Sequence, residues 1–209
     1  MPCAFEFCYI TDRRALAPRP LLPLIHEAIH AGLDVVQIRE KDLATRELLE
    51  LVKGAVAAAR GTSTRIVVND RLDVALAAGA AGVHLGTQSL PARVVRQQVP
   101  KDFLVGVSCH SLEEALSAQS AGADYVVFGP IFETPSKLPY GPPLGLGKLR
   151  EVTEQVKMPV LALGGVTVER VRSCLEAGAT GIAGITLFQA CSSLEDCVRA
   201  LRVEFAARR

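Results

Sequence analysis

The 209 residues contain no tryptophan, and aromatic residues of all kinds make up only 5%. A platform that stacks nucleic-acid bases needs aromatic side chains, so the composition argues against one. An excess of charge is also missing. The chain has 23 Lys and Arg against 22 Asp and Glu, a net charge of +1. Nucleic-acid binders and polybasic membrane-surface proteins carry a basic excess, and none is present. No apolar run approaches the length of a membrane span. The start, Met1-Pro2-Cys3-Ala4-Phe5, lacks the basic-then-apolar pattern of a secretory leader. The cysteines are Cys3, Cys8, Cys109, Cys174, Cys191 and Cys197, and no two have the C-x-x-C spacing of a zinc site or redox centre. The expectation is a cytoplasmic protein with free thiols and small-molecule partners, without nucleic acid or membrane, a homo-oligomer staying open.

What the chain does have is apolar residues, 49% of the total, in a regular alternation. Short runs rich in β-branched residues read as strands over Phe5–Ile10, Val35–Arg39, Arg65–Asn69, Gly82–Leu85, Leu104–Ser108, Tyr125–Gly129, Val160–Gly164 and Gly181–Ile185. Strands this uniformly apolar suit a parallel sheet covered on both faces. The stretches between them carry helical spacing, as in Arg46–Ala59, Leu112–Ser120 and Leu194–Phe205, with Ser111 placed to cap the second. Ala31-Gly32, Ala78-Gly79-Ala80, Ala121-Gly122-Ala123 and Ala177-Gly178-Ala179 each precede a strand. Glycine there ends a helix in the left-handed conformation, and the echo recurs at roughly 45 residues, about two β/α units. Eight units make an α/β fold, a (β/α)8 TIM barrel, with an open doubly wound sheet as the alternative. Residues 1–209 are expected to form one domain. One long irregular segment, Pro130–Gly145, interrupts the alternation, and such a loop in a compact domain is usually functional.

In a barrel the chemistry sits at the C-terminal ends of the strands. Thr11-Asp12 after the first strand reads as a turn and helix cap. Gln37, Arg39 and Lys41 alternate along the second strand, so they point the same way, toward the barrel mouth. A polar row there asks for an anion, and Arg and Lys suit phosphate oxygens; salt bridges to Glu40 or Asp42 are the structural alternative. Asn69-Asp70 ends the third strand and can hold a hard cation or cap a helix. His84 lies inside the fourth strand and is expected to pack or hydrogen-bond internally. Ser108 can donate to phosphate, and His110 can act as a general base. Cys109 beside His110 lacks a third partner for nucleophilic catalysis. Thr134, Ser136 and Lys137 form a phosphate-binding lid or a solvated loop. Gly164-Gly165 and Ile185-Thr186 occupy the loops that often bind phosphate through backbone N–H groups.

Taken in order, these segments resemble the thiamin phosphate synthase and TenI family over nearly the whole chain. The segments that carry the resemblance are Gln37-Ile38-Arg39-Glu40-Lys41, Asn69-Asp70-Arg71-Leu72-Asp73-Val74-Ala75, Gly82-Val83-His84-Leu85-Gly86, Gly106-Val107-Ser108, the run from Ala123 to Ile131, and Ala162-Leu163-Gly164-Gly165-Val166. The resemblance implies joining of a pyrimidine-methyl diphosphate to a thiazole phosphate with release of pyrophosphate. It assigns Gln37, Arg39, Lys41, Asn69, Ser108 and Lys137 to the pyrimidine diphosphate and Asp70 to Mg²⁺. It assigns Thr134, Ser136, Gly164, Gly165, Ile185 and Thr186 to the thiazole phosphate. Ser89 stands where the synthase pattern has a second metal-binding aspartate, which implies weaker or water-mediated Mg²⁺ binding. The TenI branch implies thiazole tautomerisation without Mg²⁺, with His110 transferring the proton. A third reading is a phosphate-binding barrel that has lost catalysis.

Overall fold

The computed structural model describes residues 5–134 and 142–207. Eight strands follow one another around a closed parallel barrel, each hydrogen-bonded to the next and the last to the first. They are β1 (Phe7–Ile10), β2 (Val35–Ile38), β3 (Arg65–Asn69), β4 (Gly82–Leu85), β5 (Leu104–Cys109), β6 (Tyr125–Phe128), β7 (Val160–Leu163) and β8 (Gly181–Gly184). The helices on the outside are α1 (Arg13–Leu16), α2 (Leu21–His30), α3 (Thr45–Ala59), α4 (Leu72–Ala78), α5 (Ala92–Gln98), α6 (Leu112–Ser120), α7 (Gly145–Gln155), α8 (Val168–Glu176), α9 (Thr186–Gln189) and α10 (Leu194–Ala206). The closed ring excludes the open-sheet alternative, because β1 pairs with β8 through Phe7 opposite Ile182 and Cys8 opposite Ala183. None of the described helices is long and apolar enough to cross a membrane.

The strand pattern explains the core. Side chains alternate sides along a strand, so each strand feeds two apolar layers. One layer, including Val36, Ile38, Val68, Val83 and Val105, packs against the helices. The other, including Cys8, Val35, Val67, Tyr125 and Leu161, fills the barrel interior. The helix ends follow local chemistry. Gly32, Gly79, Gly122 and Gly178 all hold positive φ, between 68° and 92°, as the Ala-Gly echo predicts. Ser111 accepts from the Glu114 N–H at 3.1 Å and caps α6. Asp12 caps α1, its carboxylate accepting from the N–H groups of Arg14 and Ala15.

One expectation needs adjusting. The sequence places Gln37, Arg39 and Lys41 on one strand, but β2 ends at Ile38. Past that point the chain leaves the ladder, and the Arg39 N–H donates to the Thr11 hydroxyl at 2.9 Å. Lys41 stands exposed in the following turn rather than in the strand row.

Candidate active site

The barrel interior becomes polar toward the strand C-termini. Gln37 is 2% exposed, and its amide donates from Nε2 to Asn69 Oδ1 at 3.1 Å. Its Oε1 is buried without a hydrogen-bond partner among the described residues. A buried acceptor left open is costly, so it marks a place that a donor on a ligand would complete.

Next to this pair lies a chain of three groups. His84 Nδ1 is 3.2 Å from the Tyr125 hydroxyl, and its Nε2 is 2.9 Å from Ser108 Oγ. Burial, with the Arg39 charge nearby, holds the imidazole down to about 4, so it is neutral at physiological pH. Burial keeps the Tyr125 phenol protonated far above its ordinary range. His84 therefore packs and hydrogen-bonds internally, as its position in the strand suggests, and Ser108 is the end of the chain nearest the mouth. Sequence reading missed Tyr125 as a member, because the link crosses 41 residues.

Arg39 and Lys41 form no ion pair among the described residues. The neighbouring carboxylates are occupied elsewhere. Glu40 accepts from the Thr11 hydroxyl at 2.6 Å and from the Arg13 N–H at 3.2 Å. Asp42 pairs with the guanidinium groups of Arg13 and Arg14. The salt-bridge alternative for the cationic pair is thus absent among the described residues.

Asp70 follows directly after β3 with φ of 66°, the one non-glycine described residue in the left-handed region. Asp tolerates this conformation better than most residues, and such strain clusters at functional sites. Its carboxylate is exposed at the mouth, beside Asn69. Ser89 does not supply a second oxygen freely, because its Oγ already accepts from the Gly86 N–H at 2.7 Å. No cluster of three or more His, Cys, Asp or Glu capable of holding a metal exists among the described residues. One carboxylate fits an Mg²⁺ that arrives with a diphosphate, since Mg²⁺ keeps several waters and takes one or two carboxylates plus substrate phosphates.

The remaining residues surround the opposite side of the mouth. Gly164 and Gly165 have φ of 96° and 62°. They lie directly beneath the β6 loop: a Cβ on Gly165 would sit 2.7 Å from the Glu133 carbonyl oxygen and 2.8 Å from Phe132 Cβ. The Phe132 N–H donates to Gly164 O at 2.9 Å. Close backbone approach between two loops thus requires these glycines, in addition to any contact with phosphate. Ile185 and Thr186 start the short helix α9 just after β8. Helix α9 is tied to the turn after β1, as Gln189 accepts from the Asp12 N–H and donates to Asp12 O. Thr134 is half-buried at the end of the described β6 loop, while Ser136 and Lys137 lie outside the described residues. His110, after β5, is exposed, and its ring meets Glu114 on α6 at 3.2 Å. Cys109 faces the other way, into the apolar layer under the helices, where burial pushes its thiol up to about 12. It is no nucleophile in that state.

The family model described as thiamine monophosphate synthase matches residues 7–188. A Geobacter sulfurreducens relative is 42% identical over 197 residues, covering 94% of this chain and 92% of its own length. The thiamine-phosphate synthase of Roseiflexus castenholzii is 40% identical, covering 96% of this chain and 87% of its own. Among solved structures, a thiamine phosphate pyrophosphorylase from Pyrococcus furiosus superposes with a TM-score of 0.88 at 35% identity, covering 98% and 97% of the two chains.

Proposed function

The chain belongs to the thiamine monophosphate synthase family, and from that premise we propose that it transfers a pyrimidinylmethyl group from its diphosphate to a thiazole phosphate. The products are thiamin phosphate and pyrophosphate. The observation that carries this reading is the state of Arg39 and Lys41. Arg39, half-buried just past the end of β2, and Lys41, exposed in the turn that follows, have no carboxylate partner among the described residues, although Glu40 and Asp42 are their immediate neighbours. Such a pair suits a diphosphate, and a phosphate-free ligand would leave it unmatched.

The residues divide the work as follows. Leaving-group departure builds negative charge on pyrophosphate, and Arg39, Lys41 and Lys137 stabilise that charge. Mg²⁺, held through Asp70, would add a Lewis-acid counter-charge for the same oxygens. Gln37 offers its open Oε1 to the amino group of the pyrimidine, while Asn69 fixes the amide from the other side. In the His84 tautomer that suits this role, the protonated Tyr125 phenol donates to His84 Nδ1 and the Nε2–H donates to Ser108 Oγ. That polarity leaves the Ser108 O–H free to donate to the substrate. Thr134, Ser136, Gly164, Gly165, Ile185 and Thr186 surround the thiazole phosphate, with backbone N–H groups at the α9 start contributing. The electron-rich aminopyrimidine bears the developing cation, and the thiazole nitrogen captures it. No protein nucleophile is needed, consistent with the buried Cys109. The tautomerase reading would instead use His110, exposed after β5 with its ring 3.2 Å from Glu114, as the proton-transfer group.

The test is a synthesis assay with both substrates, with and without Mg²⁺, following thiamin phosphate. Product that depends on Mg²⁺ supports the reading. Absence of product, with aromatisation of thiazole carboxylate phosphate still observed, would transfer the chain to the tautomerase branch.

A further inference from the structure

Glu40 poses a problem for any anion site built on Arg39 and Lys41. A carboxylate between two cations would compete with a diphosphate for both. The fold turns it away. Glu40 is only 5% exposed, and Thr11 is fully buried. Glu40 Oε1 accepts from the Thr11 hydroxyl at 2.6 Å, and both carboxylate oxygens accept from the Arg13 N–H at 3.2 Å. The Thr11 hydroxyl in turn accepts from the Arg39 N–H at 2.9 Å. The Thr11 N–H donates to Gln37 O at 2.9 Å. One residue at the end of β1 thus bonds to Gln37, Arg39 and Glu40 in succession. Its hydroxyl both donates, to Glu40, and accepts, from Arg39.

We propose that Thr11 and Glu40 are positioning residues for the diphosphate site, a buried clasp that fixes the backbone of Arg39 and holds the Glu40 carboxylate away from the ligand. The inference rests on the diphosphate reading above. Its physical basis is the end of β2 at Ile38. Beyond that residue the strand ladder no longer holds Arg39, and the Thr11 hydroxyl replaces it. A flexible arginine placed on a fixed backbone loses less freedom when it binds, so more of its contact energy appears as affinity. If the clasp opens, Arg39 loses its anchor and Glu40 becomes an internal competitor for the cations. Thr11 and Glu40 act through Arg39 and Lys41 and need no contact with substrate.

The experiment is calorimetric titration of the full-length protein with inorganic pyrophosphate in the presence of Mg²⁺. The variants are Thr11→Val, which keeps the shape and loses the hydroxyl, Thr11→Ser, which restores it, and Glu40→Gln, which sets an amide NH₂ against the Arg13 N–H. Thr11→Val is expected to weaken pyrophosphate binding about tenfold, Glu40→Gln about threefold or more, and Thr11→Ser less than about twofold. In turnover, KM for the pyrimidine diphosphate rises in the first two variants while KM for the thiazole phosphate holds. General loosening of the fold would not produce that split. If Thr11→Val does not fold, Glu40→Gln decides. Wild-type affinity for pyrophosphate in the folded variants overturns the clasp and leaves the diphosphate reading standing. A wild-type protein that binds no pyrophosphate overturns the reading and the clasp together.

Discussion

His84 and Tyr125 meet through the strand that separates them. Gly106 on β5 is in register with His84 on one side and Tyr125 on the other. It has no side chain, so the imidazole and the phenol reach each other across its Cα, with Nδ1 and the hydroxyl 3.2 Å apart. The ring centroids are 5.6 Å apart. This gap lets a buried polar chain run from the middle of the barrel to Ser108 at its mouth.

Gly106→Ala closes the gap. The added Cβ would lie 2.6 Å from His84 Nδ1 and closer still to the Tyr125 ring. Overpacking of this kind costs about 1–3 kcal/mol, which lowers Tm by roughly 2–12 °C in a chain of this size. Differential scanning calorimetry measures it, and unchanged Tm would contradict the packing described. The synthesis rate should fall further than stability alone explains, because Ser108 loses its partner.

The same burial makes stability depend on pH with a definite sign. His84 is held down from 6.5 to about 4 in the folded protein. Between those values the unfolded chain binds the extra proton, so stability rises with pH across the window. It is fully present above about pH 6.5 and is lost as pH falls toward 4, by on the order of 3 kcal/mol. Chemical denaturation at pH 4.5 and 7 checks this against His84→Gln, in which that part of the acid loss should disappear. An equal acid loss in both proteins would show that His84 does not carry it.

Arg39→Gln and Lys41→Gln should each lower kcat/KM for synthesis, by about 100-fold for Arg39 and less for the exposed Lys41. The loss should appear on the pyrimidine-diphosphate side and spare KM for the thiazole phosphate. Arg39→Lys should recover little, since a point charge cannot replace the planar fork. Steady-state kinetics with each substrate varied in turn provides the check.

Metal dependence should respond to both ends of the β3–β4 mouth. Asp70→Asn removes the one carboxylate and should raise the Mg²⁺ concentration needed for half-maximal activity about tenfold or more. Ser89→Asp adds a carboxylate that can still accept from the Gly86 N–H, and should lower that concentration. Titration of activity with Mg²⁺ distinguishes these outcomes, and a flat response to Ser89→Asp would show that this position does not face the metal.

Much of the candidate site was legible because barrels place chemistry at strand ends, so locating the strands located Gln37, Asn69, Asp70 and Ser108 as candidates. Lys41 shows the limit. Alternation along a strand places it beside Arg39, yet β2 stops first and the turn carries Lys41 to the surface. The pattern of polar residues holds no mark of where the ladder ends, since that depends on what the next strand offers as a partner.

Periodicity and local capping determined the elements. β-branched runs, helical spacing, the Ala-Gly helix ends and Ser111 all act within a few residues of themselves, so their consequences can be read in order along the chain. Tertiary structure alone decided the pairings. Glu40 goes to Thr11 and Arg13, not to its neighbours Arg39 and Lys41. His84 finds Tyr125 through Gly106, and Gly165 lies under the β6 loop, not merely beside a ligand. Each of these joins residues that the closing of the barrel brings together from distant parts of the chain. Contacts of that kind depend on register and curvature, which no local pattern encodes.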